Sequence, residues 1–184
     1  MTGAVRAALE AAVISECGLY RYTLRRPSEV MFAERGTAAF VMLNPSTADE
    51  TLDDPTVRRC RAFARAWGCN GLTVMNLYAL RSADPAALWR ANDPVGPEND
   101  RYLRRMAREY GDIVCAWGAN AKQDRVRAFL RMMDGVNARL WCLGVTKNGA
   151  PKHPLYIRAD QPLIPWPAAV EAAAVTRAAS EDRG

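Results

Sequence analysis

The chain has 184 residues, of which 49% are hydrophobic, so we expect one domain over residues 1–184 with its core over about 20–166. No stretch of eighteen apolar residues occurs and charges interrupt the first twenty positions, so we expect no membrane span, no secretory signal and a cytoplasmic protein. The net charge of +5 is uneven, because residues 101–160 hold twelve Lys and Arg residues against five Asp and Glu residues, which is compatible with an anionic partner.

The first predicted element is an antiparallel addition to the edge of a sheet, formed by the aromatic-rich segments 20–24 and 30–32. The continuous apolar run 38–43 then predicts a strand that is buried on both faces. A helix is predicted after it, because Asp54 precedes Pro55 as the usual cap and first residue, and apolar residues follow at helical spacing.

The same alternation of strand and helix continues along the chain. Each later strand is a short apolar run closed by a polar residue or a glycine, and each helix carries an apolar stripe. The predicted strands are 38–43, 72–76, 113–117 and 139–143, and the predicted helices are about 55–67, about 98–110 and one that contains Val126, Phe129, Leu130 and Met133. The Ala-rich tail after Pro167 predicts a further, peripheral helix.

Strands that alternate with helices predict parallel crossovers and an α/β fold. We therefore expect a three-layer α/β/α domain with a central four-stranded parallel sheet, extended by an N-terminal antiparallel strand or hairpin. In open parallel sheets, ligands bind outside the carboxyl ends of the strands, where loops and helix N-termini converge.

All four predicted strand ends carry polar or turn-forming residues. They are Asn44-Pro45-Ser46-Thr47, Asn76-Leu77, Trp117-Gly118-Ala119-Asn120, and the segment 146–154, which contains the only histidine, His153. Asparagine is disfavoured in strands and costly to bury without partners. The coincidence of polar residues at these ends therefore predicts a shared pocket.

Each of these residues also has a purely structural interpretation. Asn44 could form an Asx turn before Pro45, Asn76 could bond a neighbouring loop, and Trp117 could pack in the core. His153 lies in a Gly- and Pro-rich loop rather than on an apolar face, which argues against a core histidine.

Acidic residues follow the first strand end. They are Asp49, Glu50, Asp53 and Asp54. Carboxylates are ligands that Mg²⁺ prefers, so this group could support metal-assisted hydrolysis of a nucleotide or phosphoester. The alternative is that Asp54 caps the next helix while the other carboxylates favour the positive end of that helix.

Basic residues lie in two groups. Arg58 and Arg59 stand near the start of the helix after the pocket, and Lys147 and Lys152 flank His153, so these four are candidates for binding phosphate. The second group forms a ridge along one predicted helix: Arg101, Arg104, Arg105 and Arg108. This ridge could track a phosphate backbone, or it could be an ordinary solvated helix face.

Four motifs resemble the family called domain of unknown function 1643. They are residues 40–50 (Phe-Val-Met-Leu-Asn-Pro-Ser-Thr-Ala-Asp-Glu), residues 54–59 (Asp-Pro-Thr-Val-Arg-Arg), Asn76-Leu77, and residues 147–155 (Lys-Asn-Gly-Ala-Pro-Lys-His-Pro-Leu), within a match from about Tyr20 to Trp166. The order of motifs is also similar, more distantly, to the uracil-DNA glycosylase superfamily, whose fold is a four-stranded parallel sheet between helices. The matching residues are Asn44, Asn76, Trp117-Gly118 and His153-Pro154.

This second resemblance implies a chemical role for each matching residue. Asn44 would position a water molecule, Asn76 would hydrogen-bond the edge of a pyrimidine, and His153 would stabilise negative charge on the departing base. Pro45 and Trp117 would border the base. The residues that we expect to bind phosphate, from their positions around the pocket, are Ser46, Thr47, Arg58, Arg59, Lys147 and Lys152. Leu155 stands where active members carry a serine that helps to hold a DNA phosphate.

The sequence therefore predicts a DNA glycosylase-like protein that cleaves or recognises a modified or deaminated base without a cofactor. Its expected partner is nucleic acid, DNA more than RNA, or a nucleotide. One alternative is a metal-dependent nucleotide or phosphoester hydrolase that uses the acidic residues. Another is a nucleotide or nucleic-acid binding module without catalytic activity.

Overall fold

The computed structural model describes residues 11–27, 35–46 and 53–167. Within these residues, seven strands and four α-helices are present, together with one short 3₁₀ helix. The strands are β1 Ala12–Ile14, β2 Arg21–Pro27, β3 Ala38–Met42, β4 Gly71–Asn76, β5 Asp112–Cys115, β6 Arg139–Cys142 and β7 Ile164–Pro165. The helices are α1 Pro55–Ala66, α2 Pro85–Arg90, α3 Asn99–Tyr110 and α4 Gln123–Asp134, and the 3₁₀ helix is Pro154–Tyr156.

The strands form one sheet in the order β1-β2-β4-β3-β5-β6-β7. The four middle strands are parallel to one another, which confirms the predicted parallel sheet. β2 and β1 extend one edge in antiparallel pairing, as expected for residues 20–24. The short strand β7, which the sequence did not predict, pairs antiparallel with β6 at the other edge. The strand expected at 30–32 and the helix expected after Pro167 lie outside the described residues.

Helices cover both faces of the sheet. Side chains alternate between the faces along each strand, so Phe40 packs with α1 residues such as Phe63, while Val41 packs in a second cluster with Leu103 of α3 and Phe129 of α4. These two hydrophobic clusters explain why the strands read as continuous apolar runs, since neither face is open to water.

Two helices begin with the same local signal. The Asp54 carboxylate accepts from the backbone N–H of Val57 at 2.7 Å ahead of α1, as predicted, and Asp84 caps the shorter α2 through Ala86 N–H at 2.8 Å. The helix α2 was not predicted, although Asp84-Pro85 is the same kind of helix start as Asp54-Pro55. No helix in the described ranges has the length and apolar character needed to cross a membrane.

Candidate functional site

A cleft of ≈ 740 Å³ lies at the carboxyl ends of the parallel strands, on the face that α1 covers. Every one of the four strand ends contributes to its lining, because parallel strands end at the same edge of the sheet. The contributing residues include Asn44 and Ser46 after β3, Asn76 of β4, Gly118 and Asn120 after β5, and Thr146, Lys152 and His153 after β6. The N-terminal end of α1 forms one wall.

The orientation of the Asn44 amide is determined by two backbone carbonyls. Its Nδ2 donates to the carbonyl oxygens of Pro45 and Ser82, at 3.0 Å each. A carbonyl can only accept, so the atom that meets both of them must be the nitrogen. Asn44 thus joins the loop after β3 to the loop after β4, and its Oδ1 is the acceptor that this amide can offer in the cleft.

Asn76 is a buried amide at the end of β4. It shares a face of the strand with Val74, which packs toward α1, and only 2% of its surface is exposed. Its Nδ2 has no hydrogen-bond partner in the described part of the chain. A buried amide left unpaired costs about 1–3 kcal/mol, so this nitrogen needs a partner from the cleft, either water or a ligand.

His153 lines the cleft and is the residue that precedes the 3₁₀ helix. Burial lowers the pKa of His153, and the nearby Asp54 carboxylate raises it by less, so the ring is mainly neutral at pH 7. Its Nδ1 accepts from the backbone N–H of Leu155 at 3.4 Å. The proton of the neutral ring is therefore on Nε2, which is available as a hydrogen-bond donor.

The loop that carries His153 is docked against the turn after β5. Gly118 N–H donates to the Pro151 carbonyl at 2.9 Å, and Gly118 has φ +76°, a conformation that favours glycine. A Cβ added at Gly118 would stand 3.6 Å from Cβ of His153. The Trp-Gly turn therefore contributes to the site mainly by holding the loop that carries His153 in place.

The indole of Trp117 belongs to the core on the α3 and α4 face. It meets Phe129 and Trp166 edge to face, with ring centroids 5.4 and 5.1 Å apart. Trp117 borders the cleft, but its ring is in the hydrophobic cluster on the face of the sheet opposite Asn76. This packing matches the structural interpretation of Trp117 and gives no support to a stacking contact with a base.

The described carboxylates near the cleft have protein partners. Asp54 caps α1 and also accepts from the Ser46 hydroxyl. Burial raises the pKa of Asp53, but ion pairs with Arg61 at 2.8 Å and Arg26 at 2.6 Å outweigh it and hold that pKa below 3.8. The other two members of the acidic group, at positions 49 and 50, lie outside the described residues.

A metal site finds no support among the described residues. No group of three or more His, Cys, Asp or Glu side chains in these ranges could hold an ion together. Asp53 and Asp54 are also engaged by arginines, by a hydroxyl and by a helix N-terminus. The magnesium alternative for Asp49, Glu50, Asp53 and Asp54 therefore depends on the two residues that are not described.

The predicted phosphate-binding residues are dispersed. Lys152 and Ser46 line the cleft, and Thr47 lies outside the described residues. Arg58 donates to the Asp53 carbonyl at 2.5 Å, and Arg59 donates to the Ile157 carbonyl. Pro45 is buried, while Lys147 is exposed at the tip of the 146–150 loop, outside the cleft lining.

Sequence reasoning missed two conspicuous members of the cleft. Arg21 of β2 is 2% exposed and lines the cleft because β2 pairs with β4, a non-local pairing that leaves no signal near residue 21. Tyr156 is 86% exposed and stands beside His153, with ring centroids 6.0 Å apart. An aromatic residue in a Pro-rich loop next to the only histidine was a signal for Tyr156.

The chemistry available in the cleft is hydrogen bonding to a polar ligand. Asn44 offers an acceptor, His153 offers a neutral donor, and Asn76 offers a buried amide that can both donate and accept. Ligand sites typically combine such a few placed polar groups with an apolar wall, which Met42 and Val74 supply here.

Comparison with known proteins identifies a family without an assigned activity. Neither the curated proteins nor the solved structures contain a match to this chain. The sequence model described as "Protein of unknown function (DUF1643)" matches residues 21–155, from the start of β2 to the residue after His153-Pro154. That match spans well over half of the sequence, and the chain belongs to the DUF1643 family.

Proposed function

We propose that this protein is DNA glycosylase-like and takes a modified or deaminated base, turned out of a nucleic acid, into the cleft at the strand ends. The observation that carries the proposal is the buried Asn76 amide, whose Nδ2 lacks a protein partner, in the same cleft as Asn44 and His153. A base edge supplies the donors and acceptors that such an amide needs.

The size of the cleft supports this ligand class. A volume of ≈ 740 Å³ lies within the usual range for small-molecule sites, about 300–1,000 Å³, and can hold a base with its sugar. Tyr156, exposed at the cleft, offers an aromatic surface for stacking. A base in a stacked duplex cannot reach Asn76, so the nucleotide must be extruded or single-stranded.

The proposed reaction is hydrolysis of the bond between base and sugar. Asn44 Oδ1 would hold the attacking water, and Asn76 would bind the edge of the base. The water oxygen would bond to the sugar carbon as the bond from that carbon to the base nitrogen breaks. Negative charge develops on the departing base, His153 Nε2–H would donate a hydrogen bond to it, and the proton that the water loses ends on the released base. A fixed donor aimed at developing charge accelerates such a step by about 10²–10³.

The architecture supports the likeness to the uracil-DNA glycosylase superfamily. Four parallel strands between helices, with amides after β3 and β4 and a His-Pro loop after β6, match the order of motifs on which that likeness rests. The proposal for function uses the positions of Asn44, Asn76 and His153, and it does not require the Trp117 indole to touch a base.

The test is base release and binding with single-stranded and duplex oligonucleotides that contain uracil, hypoxanthine or 5-hydroxymethyluracil. We expect preference for at least one of them over the unmodified oligonucleotide, and release that EDTA does not inhibit. Asn76→Ala should reduce that preference about tenfold or more, since a two-point amide contact to a base is worth about 1–3 kcal/mol. Asn92→Ala, at an exposed asparagine outside the cleft, is the matched control.

Each other outcome has a definite meaning. Preferential binding without release supports recognition of the base without catalysis. If the protein releases phosphate from nucleotides and EDTA abolishes this release, the metal-dependent hydrolase replaces the proposal. Equal behaviour of wild type, Asn44→Ala, Asn76→Ala and His153→Ala toward every oligonucleotide removes the glycosylase-like function.

A further inference from the structure

The backbone at the end of β4 is held by two side chains from the helices behind the sheet. Asn99, the first residue of α3, donates through Nδ2 to the carbonyl oxygens of Asn76 and Leu77, at 3.0 Å each. Arg125, in the first turn of α4, donates through Nε to the same Leu77 carbonyl at 2.7 Å. Three hydrogen bonds therefore converge on two consecutive carbonyls.

The side chains of Asn99 and Arg125 that make these hydrogen bonds are both buried. Asn99 is fully buried and Arg125 is 7% exposed. A buried guanidinium is costly unless it is paired, and Arg125 lies 2.7 Å from the carboxylate of Asp100, measured from Nη2 to Oδ1. Asn99 does not serve as a helix cap, since α3 has no side-chain cap bond and Oδ1 of Asn99 has no partner among the described residues.

The same stretch of backbone is held on its other side by β3 and the residue after it. Leu77 N–H donates to the Met42 carbonyl at 2.8 Å, and Tyr78 N–H donates to the Leu43 carbonyl at 2.9 Å. The peptide that joins Asn76 to Leu77 is thus bonded through both its C=O and its N–H. The Asn76 side chain projects from this peptide toward the α1 face, where the cleft lies.

We propose that Asn99 and Arg125 are positioning residues that hold the Asn76 amide in the orientation needed to read a base edge. This inference rests on the proposed function for its purpose, but the orientation itself can be measured without a ligand. Neither residue lines the cleft, so both act through the Asn76 and Leu77 backbone.

The first experiment records the side-chain amide signals of asparagines by ¹H–¹⁵N NMR, with Asn76 and Asn44 assigned from the Asn76→Asp and Asn44→Asp variants. In Asn99→Asp, which keeps the shape but replaces the donor by an acceptor, the Asn76 signal should shift or broaden. Arg125→Met should do the same. The Asn44 signal should stay in place in both, because Asn44 is held by Pro45 and Ser82.

Matched controls separate positioning from general damage. Asn92→Asp and Arg127→Met change the same residue types at exposed positions and should leave the Asn76 signal unchanged. If Asn99→Asp does not fold, Arg125→Met and Arg125→Lys carry the test. An Asn76 signal that keeps its wild-type position and exchange rate in the folded Asn99 or Arg125 variants overturns the proposal.

The second experiment measures the ratio of affinities for modified and unmodified single-stranded oligonucleotides. In Asn99→Asp and Arg125→Met this ratio should fall about tenfold or more, since a misaligned amide loses its two-point contact with the edge of the base. Affinity for the unmodified oligonucleotide should remain as in wild type. An unchanged ratio in both folded variants rejects the positioning role. If the wild type itself prefers no modified base, the proposed function fails, and the NMR result alone decides whether Asn99 and Arg125 orient Asn76.

Discussion

At the scale of single residues, backbone partners decide which atom each polar side chain presents to the cleft. The carbonyls of Pro45 and Ser82 accept hydrogen bonds from Nδ2 of Asn44, and the backbone N–H of Leu155 donates to Nδ1 of His153. Asn44 is consequently an acceptor and His153 is a donor. These bonds differ from an Asx turn, in which Oδ1 of Asn44 would accept from the backbone N–H two residues on, and they leave Oδ1 for a ligand.

The lowered pKa of His153 has a consequence for stability. Because burial lowers the pKa in the folded state below 6.5, the unfolded chain binds a proton more readily at this position. The His153 contribution to the free energy of unfolding is therefore constant above about pH 6.5 and is lost as the pH falls below that value. Between pH 7.5 and 5.5, wild type should lose more unfolding free energy than His153→Asn, as measured by urea titration. An identical loss in both proteins would contradict this assignment.

At the scale of elements, α1 connects the strand-end loop after β3 to the histidine loop. Asp54 caps α1, accepts from Ser46 and lies close enough to His153 to act on its pKa. The Asp54 carboxylate thus contacts the start of α1 and the turn after β3, and it influences the histidine of the cleft.

Substitutions of Asp54 can separate capping from metal binding. Asp54→Ala should destabilise the protein by about 1 kcal/mol, while Asp54→Asn should stay close to wild type because asparagine caps helices equally well. Urea unfolding checks both values. Base recognition should survive in Asp54→Asn. Loss of an EDTA-sensitive activity in Asp54→Asn, at unchanged stability, would instead favour the hydrolase.

The elements that could be predicted are those with a strong local pattern. β3 to β6 are short apolar runs and α1 and α3 carry apolar stripes, so each was predicted to within a few residues at its ends. The apolar stripe of α4 predicted that helix without its ends. α2 has six residues and β7 has two, too few for a periodic pattern to be distinguished from a loop. β7 exists because residues 164 and 165 meet β6, which is a non-local contact.

At the scale of the whole molecule, positive charge occurs on both faces of the sheet, and only one face carries the cleft. The ridge of Arg104, Arg105 and Arg108 lies on α3, which packs on the face opposite α1. Arg101 in the same ridge forms an ion pair with Glu98 at 2.7 Å. Lys152, in contrast, lines the cleft itself.

This arrangement predicts which charges govern binding. Lys152→Gln should weaken binding of a single-stranded oligonucleotide and reduce the slope of log K against log salt by about one, as expected for one lost phosphate contact. The double variant Arg104→Gln/Arg108→Gln should stay within about twofold of wild type, since exposed charges act over about one Debye length. Fluorescence anisotropy over a salt series measures both. A larger effect from the double variant would move the binding surface to α3.

The sequence by itself determined β3 to β6, the helices α1, α3 and α4, the capped start of α1 and the four polar strand ends, because apolar periodicity, Asp-Pro caps and buried-strand composition are local properties of the chain. Only the tertiary structure decided which side chains meet in the cleft at those ends. Arg21 reaches the cleft through the pairing of β2 with β4, and the Trp117 indole turns to the opposite face. Asn76 is held by Asn99, 23 residues away, and by the Leu77 bond of Arg125. Packing determines which residues far apart in the chain become hydrogen-bond partners, so no local sequence pattern could have predicted these partners.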